Sequence, residues 1–222
     1  MRILILGATG GIGILLIRQV LKIYQSCTII LYVRSPEKIP DDLKENPSLI
    51  IIKGQLEDED ALSKAMEDVD VVVSALGPSV RKGPFHPSNT PLAHAYVLVI
   101  KLMHQHQVKR LICLGTPSIT DAADKFNLAF SLLVNGVAIL ARNAYNDVVA
   151  IGRNVRTEGA DLDWTIVRVP VLTDKDSEEV IAGYVGDGKT NTFLSRSGFA
   201  AFVVNEIEKR DWVQKAPLIC SA

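Results

Sequence analysis

The chain of 222 residues contains no apolar run of the roughly 18 to 20 residues that a bilayer-spanning helix requires. It has little cysteine: Cys27, Cys113 and Cys220 lack the spacing of metal ligands, and each falls in a strand-like apolar stretch where a thiol acts as a small hydrophobe. A reduced, cytoplasmic protein without a metal site is the expectation. No charge of either sign dominates. Lys plus Arg number 24 against 25 Asp plus Glu, a net charge of −1, so neither nucleic acid nor a membrane is expected as a partner. Internal repeats, low-complexity tracts and interdomain linkers are absent, and the length suits one sizeable core, giving a single domain over 1–222. Arg2 and the short apolar run behind it are not expected to act as a signal peptide, because cleavage would remove the first strand of the fold.

What the chain does have stands at its start. Arg2 to Leu6 is an apolar run led by one arginine, as in a buried parallel strand. Gly7-Ala8-Thr9-Gly10-Gly11-Ile12-Gly13 follows at once, and Ile12 to Tyr24 carries apolar residues at helical spacing. Strand, glycine-rich turn and helix in that order mark a nucleotide site. Gly7 permits the tight turn, Gly10 lets the backbone approach a pyrophosphate, and Gly13 lets helix and strand pack closely. The phosphates would sit on unpaired N–H groups at the positive end of the helix.

Further strand-like runs recur at Cys27–Val33, Leu49–Lys53, Asp70–Ala75, Arg110–Leu114, Asp163–Val169 and Pro217–Cys220. Helical periodicity fills the gaps at Asp58–Glu67, Pro91–Gln107, Phe126–Glu158 (read as two helices) and Ser197–Lys209. Alternating βα units predict an α/β fold with a doubly wound parallel sheet of six to seven strands, in the order 3-2-1-4-5-6, with helices on both faces. Glu57 to Asp60 concentrate negative charge at one helix start, and Thr90 before Pro91 reads as an N-cap at another. The irregular segment Leu76–Thr90 leaves the C-terminal end of the fourth strand and should border the site.

An NAD-selective protein places Asp or Glu at the end of the second strand. Here that strand ends Val33-Arg34-Ser35-Pro36-Glu37-Lys38. Arg34 stands where the acid would be, and a guanidinium grips a 2′-phosphate through two hydrogen bonds, so Arg34 and Ser35 point to NADP, with Glu37 as the residue that contests it. After the third strand Gly54-Gln55-Leu56-Glu57-Asp58, with Gln55 and Leu56 as the binding candidates, should pass beside the adenine, and the backbone of Ala75, Leu76 and Gly77 beside the ribose and nicotinamide.

The glycine run, Val33-Arg34-Ser35 and Asp163-Trp164-Thr165-Ile166-Val167-Arg168 together resemble an atypical short-chain dehydrogenase/reductase, nearest the NmrA-like and biliverdin/flavin reductase-like NAD(P)-binding proteins. The resemblance spans about positions 2 to 210 and implies a single-domain Rossmann fold with NADP across the strand ends. It does not fix an activity, since members include reductases of flavins, quinones and ketones as well as silent redox sensors. Typical dehydrogenases of the wider superfamily carry Tyr-x-x-x-Lys after the fifth strand and a Ser at that strand's end. Tyr145 takes the Tyr position, but Val149 stands where Lys belongs, and Thr116 or Ser118 must replace the Ser. A phenol, with an ordinary pKa of about 10, is a poor proton relay without that cation. Hydride transfer to flavins or quinones, which need little acid help, is unaffected by the loss.

Arg81, Lys82 and His86 occupy the loop past the fourth strand; of these His86, as an imidazole, is the candidate acid facing the nicotinamide. Lys101 should pack its stem and send its head to solvent. Phe126–Ala141 is apolar nearly all round, which predicts burial against Asn143–Glu158 together with a role as the wall of an acceptor pocket; a dimer face is the alternative. These residues lead to three readings. First is an NADP-dependent oxidoreductase acting on a small aromatic or conjugated acceptor, a monomer or homodimer, with Thr116, Tyr145 and His86 at the acceptor. Second is a redox sensor that binds NADP without turnover. Last is an isomerase or epimerase that retains NADP.

Overall fold

The computed structural model describes residues 1–78 and 85–222. Its first strands are β1 (Arg2–Leu6), β2 (Thr28–Val33), β3 (Leu49–Lys53) and β4 (Val71–Ser74). Later come β5 (Arg110–Gly115), β6 (Asp163–Arg168), β7 (Val171–Thr173), β8 (Val180–Gly183), β9 (Phe193–Ser195) and β10 (Leu218–Ser221). The helices are α1 (Gly11–Ile23), α2 (Asp41–Lys44), α3 (Glu59–Ala65), α4 (Pro91–Gln105), α5 (Leu128–Leu140), α6 (Arg142–Glu158) and α7 (Arg196–Lys209). The main sheet has eight strands ordered β3-β2-β1-β4-β5-β6-β10-β8, and β7 pairs with β9 apart from it. The single-domain doubly wound fold and the 3-2-1-4-5-6 order agree with the sequence reading. The strand count does not, because β8 adds antiparallel to β10 and moves the C-terminal strand inward from the edge.

The apolar strand runs are explained by burial on both faces. Leu4 and Leu6 of β1 point into the core beneath α3, α4 and α6, while Ile3 and Ile5 point into the core beneath α1 and α7. At the base of β5 the buried Arg110 pairs with the buried Glu206 of α7 at 2.8 Å. Arg110 also donates to Thr165 Oγ1 at 2.8 Å, which ties β5, β6 and α7 together.

Two local expectations fail. Thr90 takes a left-handed conformation (φ 46°) and its side chain caps nothing. The cap of α4 comes instead from Asp147 of α6, which accepts from the N–H of Ala93 at 2.8 Å and of Leu92 at 3.2 Å. A proline at the first helical position leaves the next N–H groups seeking an acceptor, and tertiary packing supplies one. Helix α5, in turn, is not buried against α6. The two helices bend apart by 116° and only Phe130 of α5 is fully buried, against Val185 and Leu218. By contrast Asp58 caps α3 through the N–H of Ala61 at 3.0 Å, within the acidic run where negative charge was expected. Among the described residues no single helix is long and apolar enough to cross a membrane.

Candidate functional site

The strand order reverses between β1 and β4, and a cleft of about 280 Å³ opens over their C-terminal ends. Its floor is the β1–α1 turn. Gly7 has φ +77°, a conformation side chains rarely adopt, and a Cβ there would lie 2.9 Å from the Ala75 carbonyl carbon of β4's end. A Cβ on Gly13 would lie 2.3 Å from the Gly7 carbonyl oxygen, so the first turn of α1 is pressed against the strand it follows. Gly10 is the helix N-cap, without a side-chain hydrogen bond, and the first turn of α1 holds no acidic residue. The mouth of α3, with its acidic first turn, is electrostatically the opposite. A Cβ on Gly11 would meet nothing within 4 Å. Unpaired N–H groups at a positive helix end, with open space before them, suit the pyrophosphate of a dinucleotide.

Arg34, Ser35 and Lys38 line the same cleft from the end of β2 and the turn behind it. Glu37 is exposed and forms no part of the lining. From the β3–α3 connection come Gly54, Gln55, Leu56 and Glu57. Tyr32 crosses beneath them and donates to the Gln55 carbonyl at 2.6 Å. Burial first, then the charges of Asp58 and Glu57, push the Tyr32 hydroxyl up to about 12, so it stays a neutral donor. Gly54 makes room for that ring, since a Cβ would sit 2.2 Å from the Tyr32 oxygen.

The cleft thus gathers Gly7, Thr9, Arg34, Ser35, Gln55, Leu56, Leu76 and Gly77 of the residues the sequence singled out. Gly10, Gly11, Ile12, Gly13 and Ala75 shape the turn and strand end that border it. Sequence reasoning gave Lys38 no place among the binding residues and missed Tyr32 and Leu92 as lining, whereas Gly54 and Glu57 belong to the connection after β3 that it had placed beside the site. Lys38 had a signal, lying four residues past Arg34 on a short turn. Leu92 had none, because its position depends on the cap from Asp147.

Of the acceptor-side candidates, Thr116 follows β5, half-buried, and its Oγ1 accepts the Ser118 N–H at 3.3 Å. Ser118 is buried. Tyr145 is half-buried in the first turn of α6, and among the described residues its hydroxyl has no hydrogen-bond partner; Val149, one turn on, is exposed. His86 is not a solvated loop residue. Its side chain is buried, with Nε2 2.7 Å from Asp147 Oδ2, and Asn143 Nδ2 donates to its carbonyl at 2.8 Å. Arg81 and Lys82 lie outside the described residues. Lys101 reaches out to Glu59 at 2.6 Å, as its exposed head was expected to do.

No curated protein matches the chain in sequence. A solved Rossmann-fold NAD(P)-binding family protein from Shigella flexneri is 24% identical with a TM-score of 0.71, over 99% of this chain and 93% of that one. A short-chain dehydrogenase/reductase from Veillonella parvula, in complex with NADP, is 16% identical with a TM-score of 0.78, over 99% and 94%. ChuY, an anaerobillin reductase from Escherichia coli O157:H7, is 15% identical with a TM-score of 0.75, over 100% and 97%. At such identities these structures establish the fold, and the family comes from the sequence model described as NAD(P)H-binding, which matches residues 7–210. The chain belongs to the NAD(P)H-binding family.

Proposed function

We propose that the protein is an NADP-dependent reductase that acts on a small aromatic or conjugated acceptor such as a quinone, flavin or ketone. The observation that carries the cofactor preference is the convergence of Arg34, Ser35 and Lys38 on one wall of the cleft. That wall lacks a β2-end carboxylate, and two cations with a hydroxyl suit a 2′-phosphate better than a bare ribose diol. When bound, the nicotinamide supplies the hydride. The chain's own part is to hold it: backbone N–H groups at the start of α1 face the pyrophosphate, Gln55 and Leu56 flank the adenine, and Leu76 and Gly77 lie along the far half. On the acceptor side Thr116 and Tyr145 orient the acceptor by hydroxyl hydrogen bonds. With Nε2 committed to Asp147, His86 keeps Nδ1 for any proton transfer.

A second reading, a sensor that binds NADPH without turnover, is favoured by one observation: the exposed Val149 one turn from Tyr145, where a lysine would lower the phenol's pKa. NADPH oxidation screened over flavins, quinones and ketones separates the two. Oxidation with at least one acceptor class is expected, with kcat reduced for Tyr145→Phe. Tight NADPH binding with no oxidation by any acceptor would establish the sensor instead. The cofactor preference has its own test. Arg34→Ala should weaken NADP binding at least tenfold, about 1.4 kcal/mol, while leaving NAD binding nearly unchanged; equal losses for both would refute the preference.

A further inference from the structure

Helix α5 presents an apolar face that the fold leaves bare. On the helix Leu128, Leu132 and Ile139 are 63%, 65% and 78% exposed; Leu140, to one side of them, is 74% exposed and Phe126, ahead of the helix, 83%. Monomeric proteins rarely leave contiguous apolar patches beyond a few hundred Å², and side chains of this exposure together reach that scale, the apolar centre of an interface of roughly 800 Å² per partner. None of them lines the dinucleotide cleft.

The pattern on this face says what fits it. Leu128, Leu132, Asn135 and Ile139 are spaced 4-3-4, so all four fall on one stripe of the helix, the 3.5-residue average of a helix-pairing seam with one polar position. Asn135 is exposed with the others. Read backwards the spacing is the same. Two copies of α5 laid antiparallel about a twofold axis would therefore set Leu128 of one against Ile139 of the other, and Leu132 against Asn135. An isologous interface places a surface against itself, so like charges on it repel; between Phe126 and Ala141 there are no charged residues. Antiparallel placement also opposes the two helix dipoles favourably. Lys125 and Arg142 stand beyond the two ends of the stripe, exposed, where salt screens them.

From the exposed stripe, its palindromic spacing and its lack of charge, we infer that a second copy of this chain covers α5, through an antiparallel α5–α5 seam. The inference is independent of the proposed activity. Sedimentation of the full-length protein over about 1 to 100 µM tests it. A dimer is expected that tightens with added salt, because burial of uncharged surface is strengthened while repulsion between Lys125 and Arg142 is screened. Leu132→Asp should weaken association at least tenfold, with an unchanged circular dichroism spectrum and, at concentrations where parent and variant are both monomeric, an unchanged unfolding midpoint, since the side chain is exposed. Leu132→Asp combined with Asn135→Lys should restore it, because each new acid then faces the other copy's new base. A monomer throughout the range overturns the inference, and so does a monomer that instead floats with anionic vesicles. A Leu132→Asp protein that dimerises as tightly as the parent, or a double variant no tighter than the single one, overturns it equally.

Discussion

His86 and Asp147 meet at 2.7 Å between Nε2 and Oδ2, both side chains buried, and the same carboxylate accepts the N–H groups of Leu92 and Ala93. One acid on α6 therefore fixes the start of α4, the segment ahead of it and, through Leu92, one wall of the cleft.

Replacing that acid should show this. Asp147→Ala leaves two helix N–H groups and a buried imidazole without an acceptor, and should cost about 2 kcal/mol or more of stability. Asp147→Asn keeps one acceptor oxygen and should cost less. Denaturant unfolding of the two variants gives the comparison, and equal losses would mean that the cap contributes nothing.

Gly13→Ala is expected to be worse than ordinary overpacking of about 1 to 3 kcal/mol. The new methyl meets the backbone of Gly7 and Ala8, at 2.3 and 2.7 Å, rather than a side chain that can swing away. Dinucleotide affinity should fall as well under the proposed binding mode, because relief requires moving the turn whose N–H groups would face the pyrophosphate. Thermal unfolding and titration with NADPH check the two effects separately.

The Arg110–Glu206 pair offers a test of buried charge. Burial lowers the Arg110 pKa while Glu206 opposes the shift, so removing Glu206 strands a desolvated guanidinium. Glu206→Leu alone should cost about 3 to 5 kcal/mol. The double variant with Arg110→Met should regain most of that, which a merely steric defect at Glu206 would not allow.

Asp187 gives the chain an acid-sensitive turn after β8. Burial by itself raises its pKa, but the N–H groups of Tyr184, Lys189 and Thr190 and the Thr190 hydroxyl outweigh burial and bring it down to about 2. An unfolded aspartate titrates near 4. The folded form thus binds its proton less readily, and the stabilisation is complete above about pH 4 and lost as pH falls towards about 2. In Asp187→Asn the midpoint of thermal unfolding should be lower at neutral pH and flatter across that acid window than in the parent.

Much of the site was legible in the chain itself, because its signals are local. Gly7 and Gly13 announce a turn that only glycine can make, and Arg34 occupies a place fixed by its distance from that turn. The acceptor side was not legible to the same degree. His86 looked like an unpartnered loop acid because nothing near it in sequence reveals Asp147, 61 residues on. Thr90 looked like a cap because its side chain suits one, yet a carboxylate from another helix took the task. Helix α5 looked buried because burial is the ordinary fate of so apolar a helix.

Local signals along the chain set the alternation of strands and helices, the parallel order of the central six strands and the location of the glycine turn beneath the cleft. Each of these depends on hydrophobic period, on backbone freedom at single residues, or on the handedness of βαβ crossovers, all properties of neighbours along the chain. Long-range packing is what extends the sheet with β8 beyond β10, lets Asp147 hold both His86 and α4, and bends α5 116° from α6 with its apolar stripe facing outward. Those outcomes turn on which distant groups meet, and a contact energy between residues far apart in sequence leaves no periodic trace within either segment.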